Sequence, residues 1–209
     1  NGAGKSTLLS TIAAAYDPAR EHYDGRAPVR FNPSCRLVYF DQTMSELPTT
    51  MKILDRLIGE GAIDAAIVAT DGKDLLYQWS AELVDWAGRS AAPWLIYRHF
   101  HTEKDAGEFA LEPNQGILVI SREQLHQVLP RLTAAQKQRM IIVHDEVHGL
   151  GVPSLVASLA GEHPKFAWRL GLSATPERAY DAVGNQFLDD EIGKTIFRFP
   201  LEEAIRRGV

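Results

Sequence analysis

Two groups of side chains in this sequence have the types and spacing for phosphate chemistry. The first is Asp145, Glu146 and His148, which stand just past the short apolar run 140–143 (MIIV). Four consecutive apolar residues suit a strand buried on both faces. In open parallel sheets, ligands sit outside the carboxyl ends of the strands. An acid pair at such an end is placed to hold a Mg²⁺–nucleotide; the plain alternative is a strand followed by a solvated turn. The second group is residues 1–7, NGAGKST. A phosphate-binding loop has the form GxxxxGK[ST], and Gly4-Lys5-Ser6 fits its second half. Gly2 and Gly4 would let backbone N–H groups approach phosphate oxygens, Lys5 would reach the β/γ-phosphates, and the Ser6 hydroxyl would ligate Mg²⁺. Thr7 opens a helix over 7–16 (TLLSTIAAAY), whose N-terminus would add its dipole to an anion site. A glycine-rich turn before a helix is the alternative reading of this stretch.

The elements that must position these groups alternate along the chain. Residues 35–40 (CRLVYF) read as a strand, followed by Asp41 and Gln42, and 51–57 as an amphipathic helix closed by Gly59 and Gly61. A buried strand at 65–69 (AAIVA) leads to a helix in which Leu75, Leu76, Trp79, Leu83 and Trp86 recur at helical spacing. Asp71 or Asp74 could cap its start, and Trp79 and Trp86 read as core. A strand is expected at 93–100, a polar loop or hairpin at 101–116, and a buried strand at 117–121 (ILVIS). His99 and His101 read as solvated or packing residues. A helix interrupted near Pro130 spans 122–132, and a short polar helix starts at Thr133. Beyond His148 come a helix over 153–160 and an apolar strand over 166–171, ending in Leu172-Ser173-Ala174-Thr175-Pro176. The tail carries a candidate hairpin or strand at 194–199 and a helix at 201–207. Strands alternating with helices make the class α/β with a mainly parallel sheet flanked by helices.

Composition sets outer limits. At 209 residues the chain is one large domain or two small ones. Lys and Arg number 22 and Asp and Glu 27, giving a net charge of −5, so no basic excess announces nucleic acid, although a local groove could still be basic. A single cysteine, Cys35, rules out an intramolecular disulfide framework and any multi-cysteine metal site and fits a cytoplasmic, intracellular location. No apolar run approaches the roughly 18 residues of a membrane span. Lacking an initiator Met and opening inside a motif, the chain reads as a fragment of something longer.

Taken together, the motifs resemble a superfamily 2 helicase of the DEAD/DEAH (DExH) type, specifically its first RecA-like domain, in the manner of restriction-type helicases and translocases. Asp145-Glu146-Val147-His148 looks like the DExH box, and Ser173-Ala174-Thr175-Pro176 looks like motif III. Residues 66–79 (AIVATDGKDLLYQW) are similar to motif Ia, and 117–125 (ILVISREQL) to the strand and turn of motif Ib. The resemblance covers roughly residues 50–209 and implies a P-loop NTPase fold with ATP and Mg²⁺ as cofactors. It implies Asp145 holding Mg²⁺, Glu146 orienting or deprotonating the attacking water, and His148 coupling the nucleotide site to motif III. Ser173 and Thr175 would relay closure toward a nucleic-acid groove. Contacts to nucleic acid, DNA favoured over RNA, would come from Thr70, Gly72, Lys73, Ser121 and Arg122. An arginine finger would come from a second RecA-like domain missing from this chain; Arg169 and Arg178 are better read as surface or core-edge residues. The fragment alone would then hydrolyse ATP negligibly and bind nucleic acid weakly.

The first residues depart from that pattern. NGAGKSTLL is similar to the loop of ABC-type ATPases, and LVYFDQ, with Gln42, to their Q-loop, yet no LSGGQ-like signature follows. The expected organisation is therefore 1–48 as a P-loop and ABC-like segment or insertion, 49–200 as the RecA-like domain, and 201–209 as the start of a connection to the second domain. An ABC-type or other P-loop ATPase, and a degenerate, non-catalytic RecA-like binding module, are the alternatives.

Overall fold

The computed structural model describes residues 49–90, 92–173, 175, 178 and 181–196. The NGAGKST loop, with Gly2, Gly4, Lys5, Ser6 and Thr7, the helix at 7–16, the strand at 35–40 and the helix at 201–207 lie outside the described residues. The chain divides into two units, Asn1–Glu60 with Phe197–Val209, and Gly61–Ile196. In the first, helix α1 (Thr49–Gly59) has Ile53, Leu54 and Leu57 buried, the spacing of an apolar stripe on one helix face, and an exposed Arg56–Glu60 ion pair at 3.0 Å.

The second unit is built on five parallel strands: β1 (Ala65–Thr70), β2 (Leu95–His99), β3 (Gly116–Ser121), β4 (Met140–Asp145) and β5 (Trp168–Leu172). Their order is β2-β3-β1-β4-β5, with every described pairing parallel. The central strand β1 is buried along its whole length, because helices cover both faces of a parallel sheet. Ala65 pairs with both Gly116 and Met140, and Asp145 with Leu172. This register brings the ends of β1, β3, β4 and β5 to one edge, the side on which open parallel sheets place their ligands.

Side chains alternate across the sheet. Ile67, Leu118 and Ile142 join a core with Phe109 of α3 (Ala106–Leu111), Leu125 of α4 (Leu125–Val128), Leu155 of α6 (Pro153–Leu159) and Phe187 of α7 (Ala182–Glu191). Helix α2 (Lys73–Arg89) contacts β1, β2 and β3 and buries Leu76, Trp79, Leu83 and Trp86. The short helix α5 (Ala134–Lys137) opens on a capping box, Thr133 Oγ1 accepting from Gln136 N at 3.2 Å while Gln136 Oε1 accepts from Thr133 N at 2.7 Å. Among the described residues no helix is long and apolar enough to cross a membrane.

Four local expectations are corrected. Segment 101–116 is not a plain loop or hairpin: it holds α3, because Ala106 and Phe109 supply a small apolar face that the core accepts. Residues 194–196 form no strand. Before them lies α7, unanticipated because its apolar stripe is reduced to Phe187 and Leu188, and capped by Asp181 Oδ1 on Gly184 N at 2.8 Å. Neither Asp71 nor Asp74 caps α2: the N-cap position is Gly72, at φ 86°, a conformation that favours glycine, with no side-chain cap bond.

Candidate active site

β4 ends in Asp145, and the chain then turns sharply. Glu146 takes up left-handed geometry, φ 50° and ψ 52°, which strains an L residue by roughly 1 kcal/mol or more. The turn closes on Gly149 N donating to Glu146 O at 3.0 Å, inside the 3-10 segment Val147–Gly151. It leaves the Glu146 side chain 46% exposed at the sheet's carboxyl edge. Both Asp145 oxygens are oriented: Oδ1 accepts from Glu146 N at 3.0 Å, and Oδ2 from the indole Nε1 of Trp79 at 2.9 Å.

His148 joins the end of β4 to the end of β5. Its Nδ1 lies 3.0 Å from Ser173 Oγ and 3.3 Å from Glu146 Oε2, and Ser173 Oγ also accepts from Thr175 N at 3.1 Å. Gly171 makes this approach possible, since a Cβ there would meet Val147 Cγ2 at 2.8 Å. Arg178 fastens the far side: Nη1 donates to His148 O at 2.8 Å and Nε to Asp181 Oδ2 at 2.6 Å. It is thus committed to holding the turn. Arg169 likewise donates to Glu191 O at 2.9 Å.

The residues read as nucleic-acid contacts separate into two sets. Gly72 and Lys73 are exposed, and Ser121 is half-buried. Thr70 and Arg122 are buried, which corrects the expectation that they touch nucleic acid. Arg122 is 0% exposed; its Nη1 donates to Asp71 Oδ2 at 2.5 Å and its Nη2 to Asp145 O at 2.5 Å. Burial lowers the guanidinium pKa, while the charges of Asp71, Asp145 and Glu146 oppose that. A Cβ on Gly149 would lie 2.0 Å from Arg122 Nη1, so only glycine passes there. The ends of β1, β3 and β4 are thereby tied through one guanidinium.

Two contributors were misread in the sequence. Asp71 looked like a helix cap and is the carboxylate facing Arg122. Trp79 is core, as expected, but its ring N–H also orients Asp145. A buried indole N–H requires an acceptor, and that was the available signal for Trp79. Behind the site, fully buried His144 packs edge-on against His163, ring centroids 4.9 Å apart.

The donor set suits Mg²⁺, which takes oxygen ligands, keeps several waters and is held by one or two carboxylates together with substrate phosphates. Asp145 and Glu146 offer such carboxylates, and among the described residues no group of three or more His, Cys, Asp or Glu side chains could hold a metal by itself.

A parallel five-stranded sheet flanked by helices, with an acid pair and a His–Ser contact at its carboxyl edge, defines a RecA-like domain of the superfamily 2 helicase type, the first of the two in such enzymes. The family described as the type III restriction enzyme, res subunit, matches residues 48–178, well over half the chain, and the chain belongs to that family. A similar solved structure is a nuclease-deletion mutant of the type ISP restriction-modification enzyme LlaGI in complex with a DNA substrate mimic, with a TM-score of 0.52 and 13% identity over 79% of this chain and 15% of that one. Another is Mss116p bound to ssRNA and AMP-PNP, with a TM-score of 0.49 and 17% identity over 68% of this chain and 31% of that one. The chain thus spans less than a third of either solved chain. No curated protein sequence matches it.

Proposed function

We propose that this domain binds ATP with Mg²⁺ and hydrolyses it to drive translocation on, or separation of, nucleic-acid strands. The observation that carries this reading is the Asp145–Glu146 pair at the carboxyl end of β4, joined through His148 to Ser173 at the end of β5. Bound Mg²⁺ would supply neutralisation of the phosphate charge, the main catalytic need in phosphoryl transfer. Asp145, fixed by Trp79 and by Glu146 N, holds a carboxylate toward that ion, directly or through water. Glu146, exposed on its strained turn, orients the attacking water and takes its proton. His148 touches both Glu146 and Ser173, so a shift of the 173–175 segment reaches the hydrolytic carboxylate through one ring.

Gly72 and Lys73 stand on the same edge and supply phosphate contacts, which position a strand without reading its sequence. DNA is the favoured partner, supported by the likeness in fold to an enzyme solved with a DNA substrate mimic.

The test is ATP hydrolysis in the presence of nucleic acid by this domain joined to a second RecA-like domain, in the wild type and in Glu146→Gln. Removing a general base is expected to lower the rate at least about 100-fold while nucleotide binding persists. An unchanged rate would contradict the reading.

A further inference from the structure

We propose that Tyr77 and His101 form a stacking platform for one base of a single-stranded nucleic acid, at the carboxyl edge of the sheet beside Lys73. The proposal rests on the nucleic-acid reading above and adds the chemistry by which a strand would be gripped. Three rings make the platform. Those of Tyr77 and His101 are parallel within 9°, centroids 6.1 Å apart. Phe100, buried, stands at 88° to Tyr77 and at 83° to His101, with centroids 5.3 and 6.2 Å away. Two upright, solvent-facing rings thus rest on a buried aromatic base, each in the edge-to-face geometry that aromatic pairs favour.

Tyr77 is 44% exposed although Phe100 next to it offers buried apolar surface. His101 is exposed and held at φ 50°, a left-handed conformation in which glycine would be unstrained. Strain of this kind persists where surroundings enforce it and clusters at ligand clamps. Here Lys104 Nζ donates to His101 O at 3.0 Å and braces the turn. Lys73 Nζ lies 5.9 Å from the centre of the Tyr77 ring, adding a cation to the same surface.

A pair of parallel π faces selects a planar ring, and an adjacent ammonium selects an anion bonded to it. A nucleobase and its phosphate meet both demands, and stacking on aromatic side chains is tolerant of sequence because every base has a π face. The platform lies at the ends of β1 and β2, on the edge that carries Gly72, Lys73 and the acid pair, so a strand on the phosphate contacts can reach it. A free nucleotide shares this chemistry and is separated by the test.

The experiment titrates the full chain into a single-stranded oligonucleotide carrying 2-aminopurine, reading both affinity and base fluorescence, with AMP as competitor. His101→Gly suits the backbone at that position, and Tyr77→Leu keeps a good helix former on an exposed face, so both variants should fold, as circular dichroism would verify. Each is expected to weaken binding about tenfold and to reduce the quenching of 2-aminopurine, while millimolar AMP fails to compete. Wild-type affinity and quenching in both variants would overturn the platform and leave the nucleic-acid reading standing. Absence of any oligonucleotide binding by the wild type would overturn both. Binding of AMP as tightly as the oligonucleotide would replace the strand by a mononucleotide and overturn the proposal.

Discussion

The indole N–H of Trp79 donates to Asp145 Oδ2 at 2.9 Å, so the helix after β1 orients the carboxylate at the end of β4. Trp79 is otherwise enclosed, and its acceptor could have been any buried oxygen; that it is the acid proposed to hold Mg²⁺ makes α2 part of the site. Hydrogen bonds to charged groups contribute roughly 1.5–3 kcal/mol. Trp79→Phe removes the donor and keeps an aromatic ring. The expected outcome is a fall of about tenfold in kcat/KM for ATP, at the low end of that range, with unchanged far-UV dichroism. Activity equal to wild type would mean that Asp145 is held without it.

Arg122 and Asp71 make an asymmetric pair. Arg122 is fully buried, whereas the Asp71 side chain is half-exposed. Asp71→Ala strands a charge in the interior, which costs about 3 kcal/mol or more. Arg122→Met leaves a carboxylate that water can reach, together with one unpaired carbonyl, and should cost less, about 1–2 kcal/mol. Urea denaturation of the two variants gives the order directly. A larger loss for Arg122→Met would show that packing, and not the charge, is what that side chain provides. Gly149→Ala should resemble Asp71→Ala, since its methyl group would occupy the place of Arg122 Nη1.

Glu191 confers a pH dependence on stability whose sign can be worked out. Burial raises its pKa, but the hydrogen bond from His163 Nδ1 at 2.8 Å and those from the N–H groups of Gly161 and His163 outweigh burial and lower it below 4.5. A carboxylate with a depressed folded-state pKa contributes stability that is present above the unfolded value and lost as pH falls through the folded value. The Glu191 contribution should therefore hold from neutrality to about pH 4.5 and be lost below it, beneath an earlier decline that begins under the ordinary histidine value because burial keeps His144 neutral in the fold. Glu191→Gln should lower stability near neutral pH and flatten the lower part of that acid decline. A decline of unchanged steepness in the variant would assign it to other carboxylates.

Much of this was legible in the sequence, for a physical reason. Runs such as AAIVA, ILVIS and MIIV are apolar on both faces, a pattern that parallel strands between helices demand, and all three are strands of the central sheet. Asp145, Glu146, His148 and Ser173 drew notice as candidates because their residue types follow the ends of strands in sequence, and the register β4–β5 brings those ends together. Arg122 was misread because a charged residue after a strand looks the same whether it turns outward to a phosphate or inward to a carboxylate. Its partner, Asp71, is 51 residues away, and that pairing exists only once β1 and β3 lie side by side. Helix α7 was missed because its apolar residues fall in two adjacent pairs, Ala182-Val183 and Phe187-Leu188, of which only the second is buried; it is held by the Asp181 cap and by that burial.

If Asp145 and Glu146 form a Mg²⁺–nucleotide site, calorimetric titration of ATP into the chain, with Mg²⁺ and with EDTA, will distinguish the wild type from Asp145→Asn. Asparagine keeps an oxygen for Trp79 and loses the charge, and its NH2 replaces the oxygen that accepts from Glu146 N, so unchanged far-UV dichroism is required alongside the titration. Mg²⁺-dependent binding is expected for the wild type, weakened about tenfold or more in Asp145→Asn, the equivalent of about 1.4 kcal/mol. ATP binding that is independent of Mg²⁺ and equal in the two proteins would contradict that site.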